Sequence, residues 1–185
     1  MKRPDSPQSG ISPVVLRVDY VESPIGRVTF ATSEAGVCGL GIGEGWEKVR
    51  LSLDRAFGGA GTNPQVRFEE APAPELRRSL DNYFTGRTDA LESIDVDLRG
   101  TDFQKRVWAA LRAVAPGTTA SYADIAGRIG NPKAVRAVGM ANGRNPVSLI
   151  VPCHRVIGAD GSLTGYGFGL DRKRWLLQHE GALPA

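Results

Sequence analysis

The sequence changes texture once, near residue 100, and this restricts the possible architectures more than any composition figure. Before that point, "VVLRVDYVESPIGRVTFATSEAGVCGLGIG" from Val14 alternates apolar and polar residues. Turn signals stand at Ser23-Pro24-Ile25-Gly26 and Ser33-Glu34-Ala35-Gly36, so the stretch reads as an antiparallel meander. "GWEKVRLSLDRAFG" has helical spacing of its apolar positions, and "PAPELRRSLDNYFTG" places Leu76, Leu80 and Tyr83/Phe84 on one helix face. "LESIDVDLRG" reads as one more strand. From Thr101 onward the chain reads as short helices. "TDFQKRVWAALRAVAPG" carries a capping threonine and the stripe Phe103, Val107, Leu111, Val114 before Pro116-Gly117. "SYADIAGRIGN" opens on Ser121 with Asp124 three residues later, the pattern of a capping box, and closes at Gly130. "NPKAVRAVGMANG" reads as a helix capped by Asn131 with Pro132 in its first turn. The expected fold is therefore α+β, with an antiparallel β-sheet domain over 14–98 and a mostly helical domain over 101–185. A polar Pro/Ser-rich flexible leader (1–13) precedes them.

Charge alone decides little: a net +3 over 185 residues permits a nucleic-acid partner without requiring one. Two cysteines are too few for a disulfide framework, which points to a reducing, cytoplasmic setting. No Cys-x-x-Cys pair stands near Cys153, so no metal and no cofactor are expected. No segment is long and apolar enough to span a membrane.

The two short helices meeting at Gly130-Asn131 have a helix-turn-helix shape. Many helical subdomains contain such a pair, so shape alone does not assign DNA binding. The second helix adds a face of very small residues, Ala134, Ala137, Gly139 and Ala141, which lets a backbone approach a groove closely. Lys133 and Arg136 add positive charge near an amino end that favours phosphate.

"NPVSLIVPCHRVIG", from Asn145 to Gly158, raises the chemical question. A free cysteine is most often a buried, inert small hydrophobe, and Cys38 within "VCGLG" reads that way. Cys153 follows Pro152 at the end of an apolar run, with His154 and Arg155 after it. Cationic and proton-accepting neighbours increase the population of thiolate, the reactive form. Neighbouring side chains of an extended chain point apart, so a Cys153–His154 link needs a turn or a bridging water. A working histidine also wants an acceptor on its other nitrogen, and Asp160, Asp171 and Glu180 are all candidates.

These residues carry a family resemblance. "GTDFQKRVWAAL", "SYADIAGRIGNPKAVRAVGMANGRNP" and "IVPCHRVIGADGSLTGYGFGLDRKRWLLQHEG" resemble, in order and spacing, the C-terminal half of the O6-alkylguanine-DNA alkyltransferases. "SPIGRVTFATSEAGVCGL" and "NYFTG" fit the family's N-terminal sheet domain, which has an RNase H-like arrangement. The resemblance implies repair of double-stranded DNA by irreversible transfer of an alkyl group from guanine O6, and from thymine O4, to Cys153. It implies His154 as the base acting through a water, Glu180 as its orienting carboxylate and Asn145 as the hinge. Tyr122 would donate to guanine N3, and Arg136 would take the place of the extruded base, with Lys133, Ala134, Ala137 and Gly139 beside it in the minor groove. Asn142, Val156, Tyr166, Gly167 and Phe168 would form the guanine pocket, with carbonyls of Cys153 and Val156 accepting from the amino group. The resemblance implies a monomer and leaves open whether neighbouring copies bind DNA cooperatively.

The chain departs from the family in "GYGFGL": Gly167 stands where some members carry serine, and Phe168 where glycine is common. The ring either narrows the alkyl pocket or points away. Two rival readings compete: a relative that binds alkylated DNA without repairing it, which would lack the thiol, and a Cys–His–Glu hydrolase with turnover. Trp108 and Trp175 read as core, and "DRKR" (171–174) as a solvated helix face.

Overall fold

The computed structural model describes residues 13–58 and 66–184. The expected leader lies outside the described residues except for Pro13. The meander forms as read: β1 (Val14–Val21), β2 (Val28–Ser33) and β3 (Gly36–Ile42) pair antiparallel. Gly26 turns β1 into β2 at φ 103° with its N–H bonded to the Ser23 carbonyl at 3.0 Å. Helix α1 (Gly45–Gly58) follows, then a strand that the sequence reading missed. This strand, β4 (Val66–Glu70), lies parallel to β1, giving the order β3-β2-β1-β4. The sheet is thus mostly, not wholly, antiparallel. "VRFEE" was missed because it is an edge strand with charged, exposed alternate positions, and edges tolerate such residues.

The expected strand in "LESIDVDLRG" is corrected to a single bridge. Val96 bridges Val37, with Val37 N–H on the Asp95 carbonyl and Asp97 N–H on the Val37 carbonyl, both 2.9 Å. Further along the same edge of β3, Leu40 N–H donates to the Pro146 carbonyl at 2.8 Å, and Leu40 bridges Val147. The open edge is thereby covered, and the segment leading to Cys153 is fixed to the sheet.

The pleat sends alternate residues to opposite faces. Leu16, Ala31 and Cys38 pack under Val49 and Leu53 of α1. Val28, Phe30, Leu40 and Ile42 face the other way, into a core shared with α2 (Pro74–Phe84), α3 (Asp102–Arg112) and α6 (Leu170–His179). Trp108 is fully buried in it, with its indole N–H on the Ala141 carbonyl at 2.9 Å, and Trp175 packs partly buried against it.

Two capping boxes start helices as the sequence indicates: Thr101 with Gln104 on α3, and Ser121 with Asp124 on α4 (Tyr122–Arg128). Helix α5 (Val135–Gly143) starts later than read, with Ala134 as its cap. Asn131 instead finishes α4: its N–H bonds the Ala126 carbonyl at 2.9 Å, after Gly130 at φ 72°, a C-terminal closure of the Schellman type. Lys133 therefore sits in the turn before α5. Strands β5 (Ala120–Ser121) and β6 (Val156–Ile157) pair in parallel and tie the start of α4 to the segment after the cysteine. Among the described residues no helix is long and apolar enough to cross a membrane.

Candidate active site

Cys153, His154 and Arg155 form one 3₁₀ turn, and all three are buried. The turn, not an extended chain, decides where neighbouring side chains go. Cys153 Sγ lines a cleft of about 640 Å³, whereas His154 points behind it into the protein. The cleft brings together Asn142, Asn145, Cys153, Tyr166, Gly167 and Phe168 of the expected site. Lys48, Arg55, Arg99 and Arg144 also line it, and among the described residues no carboxylate does.

Glu180 is the carboxylate that meets His154; Asp160 is exposed and bonded to Ser162, and Asp171 is exposed. His154 Nε2 lies 3.0 Å from Glu180 Oε1. Three more donors converge on the same carboxylate: Tyr83 Oη at 2.7 Å, Arg155 Nε at 2.8 Å and Arg155 Nη2 at 2.9 Å. Burial alone would raise this carboxyl, yet the His154 and Arg155 hydrogen bonds and charges hold it at about 2. The carboxylate can only accept, so His154 Nε2 carries the proton and Nδ1 the lone pair. Burial keeps the imidazole below its ordinary value and so neutral. Among the described residues its Nδ1 is buried with no partner, as are Asn142 Oδ1 and Tyr166 Oη, both on residues of the cleft wall.

Asn145 spans the turn that leads to the cysteine. Its Nδ2 donates to the Val151 carbonyl at 2.7 Å and its Oδ1 accepts from Val147 N–H at 3.0 Å. Phe168 resolves into a wall: a Cβ built on Gly45 would lie 2.4 Å from its ring, so the ring lies flush on the start of α1. It also meets Tyr166 edge-on at 5.5 Å. Val156 is buried, and its carbonyl accepts from Lys173 Nζ at 2.5 Å.

Tyr122, Lys133, Ala134, Arg136 and Ala137 do not line the cleft. Lys133, Arg136 and Ala137 are exposed, with Ala134 and Gly139 half-buried. Tyr122 packs near Gly139, and its hydroxyl lies 3.8 Å from a Cβ built on Gly165, so it joins α5 to the loop flanking the cleft.

The solvated face expected for 171–174 needs correction. Lys173 is fully buried, with Nζ also 2.7 Å from the Thr164 carbonyl, and burial lowers its ammonium to about 8. Arg172 donates to the carbonyls of Ile25 and Phe168. Sequence reasoning also missed Ser148, whose hydroxyl approaches Cys153, and the Tyr83 hydroxyl, which reaches Glu180 from α2. The signal for Ser148 was its place inside an otherwise apolar run; for Tyr83 and Lys173 the sequence carries none.

The model of the 6-O-methylguanine DNA methyltransferase DNA-binding domain matches residues 102–182. A methylated-DNA–protein-cysteine methyltransferase of Methanosarcina barkeri is 45% identical over 88% of this chain and 95% of its own. One from Methanosarcina acetivorans is 47% identical over 87% and 96%. The solved structure of Mycobacterium tuberculosis OGT in complex with DNA superposes with a TM-score of 0.72 at 42% identity, covering 91% of this chain and 94% of that one. The O6-methylguanine-DNA methyltransferase of Pyrococcus kodakaraensis superposes at 0.67 with 26% identity, covering 90% and 99%. With its fold and its chain shared almost end to end with these relatives, the protein belongs to the methylated-DNA–protein-cysteine methyltransferase family.

Proposed function

We propose that Cys153 takes an alkyl group from O6-alkylguanine in duplex DNA, once and irreversibly, and that O4-alkylthymine is a second substrate. The observation that carries this reading is the set of three unpartnered buried polar atoms about the cysteine: His154 Nδ1, Asn142 Oδ1 and Tyr166 Oη. Such atoms are costly unless a ligand or a water completes them. Asn142 and Tyr166 suit a polar base edge, and Nδ1 suits the proton of Cys153 passed through one water. Glu180 fixes the tautomer that leaves Nδ1 free to accept.

The thiolate attacks the alkyl carbon, the S–C bond forms and the C–O6 bond breaks, leaving its electron pair on guanine. Tyr122 gives a proton at N3, and guanine departs neutral. A thioether has no easy leaving group, so each molecule acts once.

The target base lies inside the duplex and must be flipped out. Helix α5 and the turn before it support this in the minor groove: Lys133 and Arg136 are exposed, Ala137 is small, and Met140 and Val135 present apolar contact at 59% and 37% exposure. Arg136 fills the vacated place in the stack, as inserted side chains do. The cationic cleft lining suits the phosphates of the flipped nucleotide. In this reading 101–185 grips DNA and accepts the alkyl group, 14–98 braces it, and the monomer works in the cytoplasm, lining up with other copies on DNA.

The test is to mix the protein with a duplex carrying one O6-methylguanine and measure intact and peptide masses. One added methyl on the Cys153 peptide, with guanine restored and no second turnover, is expected. Tight binding without transfer would overturn the reading in favour of a non-repairing binder, and repeated turnover on an ester would favour a hydrolase.

A further inference from the structure

Both cysteines of this chain are buried, and their hydrogen-bond partners differ: one can only accept, the other can also donate. Cys38 Sγ lies 3.4 Å from the Ala31 carbonyl, which can only accept and so favours the protonated thiol. Burial, together with the Asp97 charge, pushes that thiol up to about 12. Cys153 Sγ lies 3.7 Å from Ser148 Oγ, a group able to donate. Ser148 is only 3% exposed, and among the described residues its hydroxyl has no other partner.

The backbone holds Ser148 there in an unfavourable conformation. Leu149 has φ 71°, alone among the described non-glycine residues in lying at positive φ. It is the centre of a three-residue turn in which Ile150 N–H meets the Ser148 carbonyl at 3.0 Å, a strained geometry for a leucine. The surrounding structure enforces it: Val151 N–H bonds the Val147 carbonyl at 2.9 Å, and Asn145 clamps both ends. Strain of this kind persists where the surroundings over-determine it, and here it aims a buried hydroxyl at the reacting sulfur.

We propose that Ser148 takes part in the transfer itself, its hydroxyl donating a hydrogen bond to the Cys153 thiolate and holding that sulfur in line for attack. The proposal rests on Cys153 being the alkyl acceptor. Burial pushes the Cys153 thiol above its ordinary value, and the Asn145 side chain, Ser148 and the Lys173 charge offset only part of that rise. The other charged and titratable groups about Cys153 are His154 and Arg155 on its own turn, Glu180 bonded to both, and Tyr166 beside the cleft, with Lys48, Arg55, Arg99 and Arg144 along the lining. Replacing Ser148 alters none of them. A merely structural serine would leave the titration of the sulfur unchanged.

The test follows alkylation of the intact protein by iodoacetamide, without DNA, from about pH 6 to about pH 11.5. The thiolate displaces iodide and gains one carboxamidomethyl group, read by mass. For Ser148→Ala the midpoint of the rate profile should rise by about one pH unit, a loss of about tenfold at pH 7. The high-pH plateau should stay near that of the parent. Ser148→Thr, which keeps the hydroxyl, should keep the parental midpoint. An unchanged midpoint in Ser148→Ala, or an equal rise in both variants, overturns the proposal. The midpoint is read on folded molecules, so a loss of stability in either variant does not imitate it. The probe contains no alkylguanine, so failure of the repair reading would appear separately, as absent methyl transfer in the parent.

Discussion

Replacing Glu180 by glutamine removes one charge and almost no volume, and its cost can be worked from the geometry. Oε1 accepts from Tyr83, His154 and Arg155 Nη2, and Oε2 accepts from Arg155 Nε at 2.8 Å. A glutamine that keeps its oxygen at the first position turns its NH₂ towards Arg155 Nε, so two donors face each other. The Arg155 side chain is 5% exposed and would keep the Val114 carbonyl, at 2.6 Å, and the retained oxygen on Nη2, but would lose its charge partner and the acceptor on Nε. Breaking a buried ion pair from one side costs about 3–5 kcal/mol.

The acid titration gives a second figure. A carboxyl lowered from 4.5 to about 2 contributes about 3 kcal/mol, at about 1.4 kcal/mol for each pH unit. Because the folded value is depressed, this stability is fully present above pH 4.5 and is lost as pH falls towards about 2. Both routes give about 3 kcal/mol, or a fall in Tm of roughly 6–12 °C for a chain of this size. Urea denaturation at pH 7 reads the difference, and repeating it down to pH 3 should show Glu180→Gln losing the slope that the parent shows below 4.5. A loss under about 1 kcal/mol at pH 7 would refute the reasoning, since only a solvent-screened pair is worth so little.

Lys173→Met should cost about 2 kcal/mol or more in the same assay, because the carbonyls of Val156 and Thr164 lose a charged donor. Gly45→Ala puts a methyl 2.4 Å from the Phe168 ring and should cost about 1–3 kcal/mol. Phe168→Ala in the same chain should recover part of that loss, and a double-mutant cycle measures the coupling.

Local chemistry was legible in the sequence, and long-range chemistry was not. The capping boxes at Thr101 and Ser121 are written within four residues, so their helices begin where the sequence says. The start of α5 was misread because Asn131 can serve either neighbour, and its N–H is taken by the Ala126 carbonyl of α4. Alternation found β1 to β3, but not β4, whose polar positions hide an edge strand. At the site, Cys153, His154 and Asn145 lie close in sequence and were read together. Arg155 was visible beside them, but its role depends on Val114 and Glu180, and no spacing rule connects those three. The "DRKR" reading failed because it assumed that consecutive charges share one environment. On a helix they are about 100° apart, and residue 173 points inward.

The boundary near residue 100 is a change of pattern, not of core. One apolar cluster runs from Val21 and Phe30 on the sheet, through Tyr83 of α2, to Val107, Val138 and Leu176. The acceptor segment hangs from the N-terminal half at two points. Leu40 bonds it at Pro146, seven residues before the cysteine, and Tyr83 bonds Glu180, the carboxylate that sets the histidine tautomer. The first contact positions the strained turn at Leu149, and the second adds a fourth hydrogen bond to the one carboxylate that neutralises Arg155. The N-terminal half therefore supports both the placement of the sulfur, through β3, and the proton state of its neighbour, through α2, although Cys153 and His154 both lie in the other half. That division explains why an edge strand beginning in "GVCGLGI" matters to a reaction centred more than a hundred residues later: its free hydrogen-bonding edge is the surface on which the reactive turn is built.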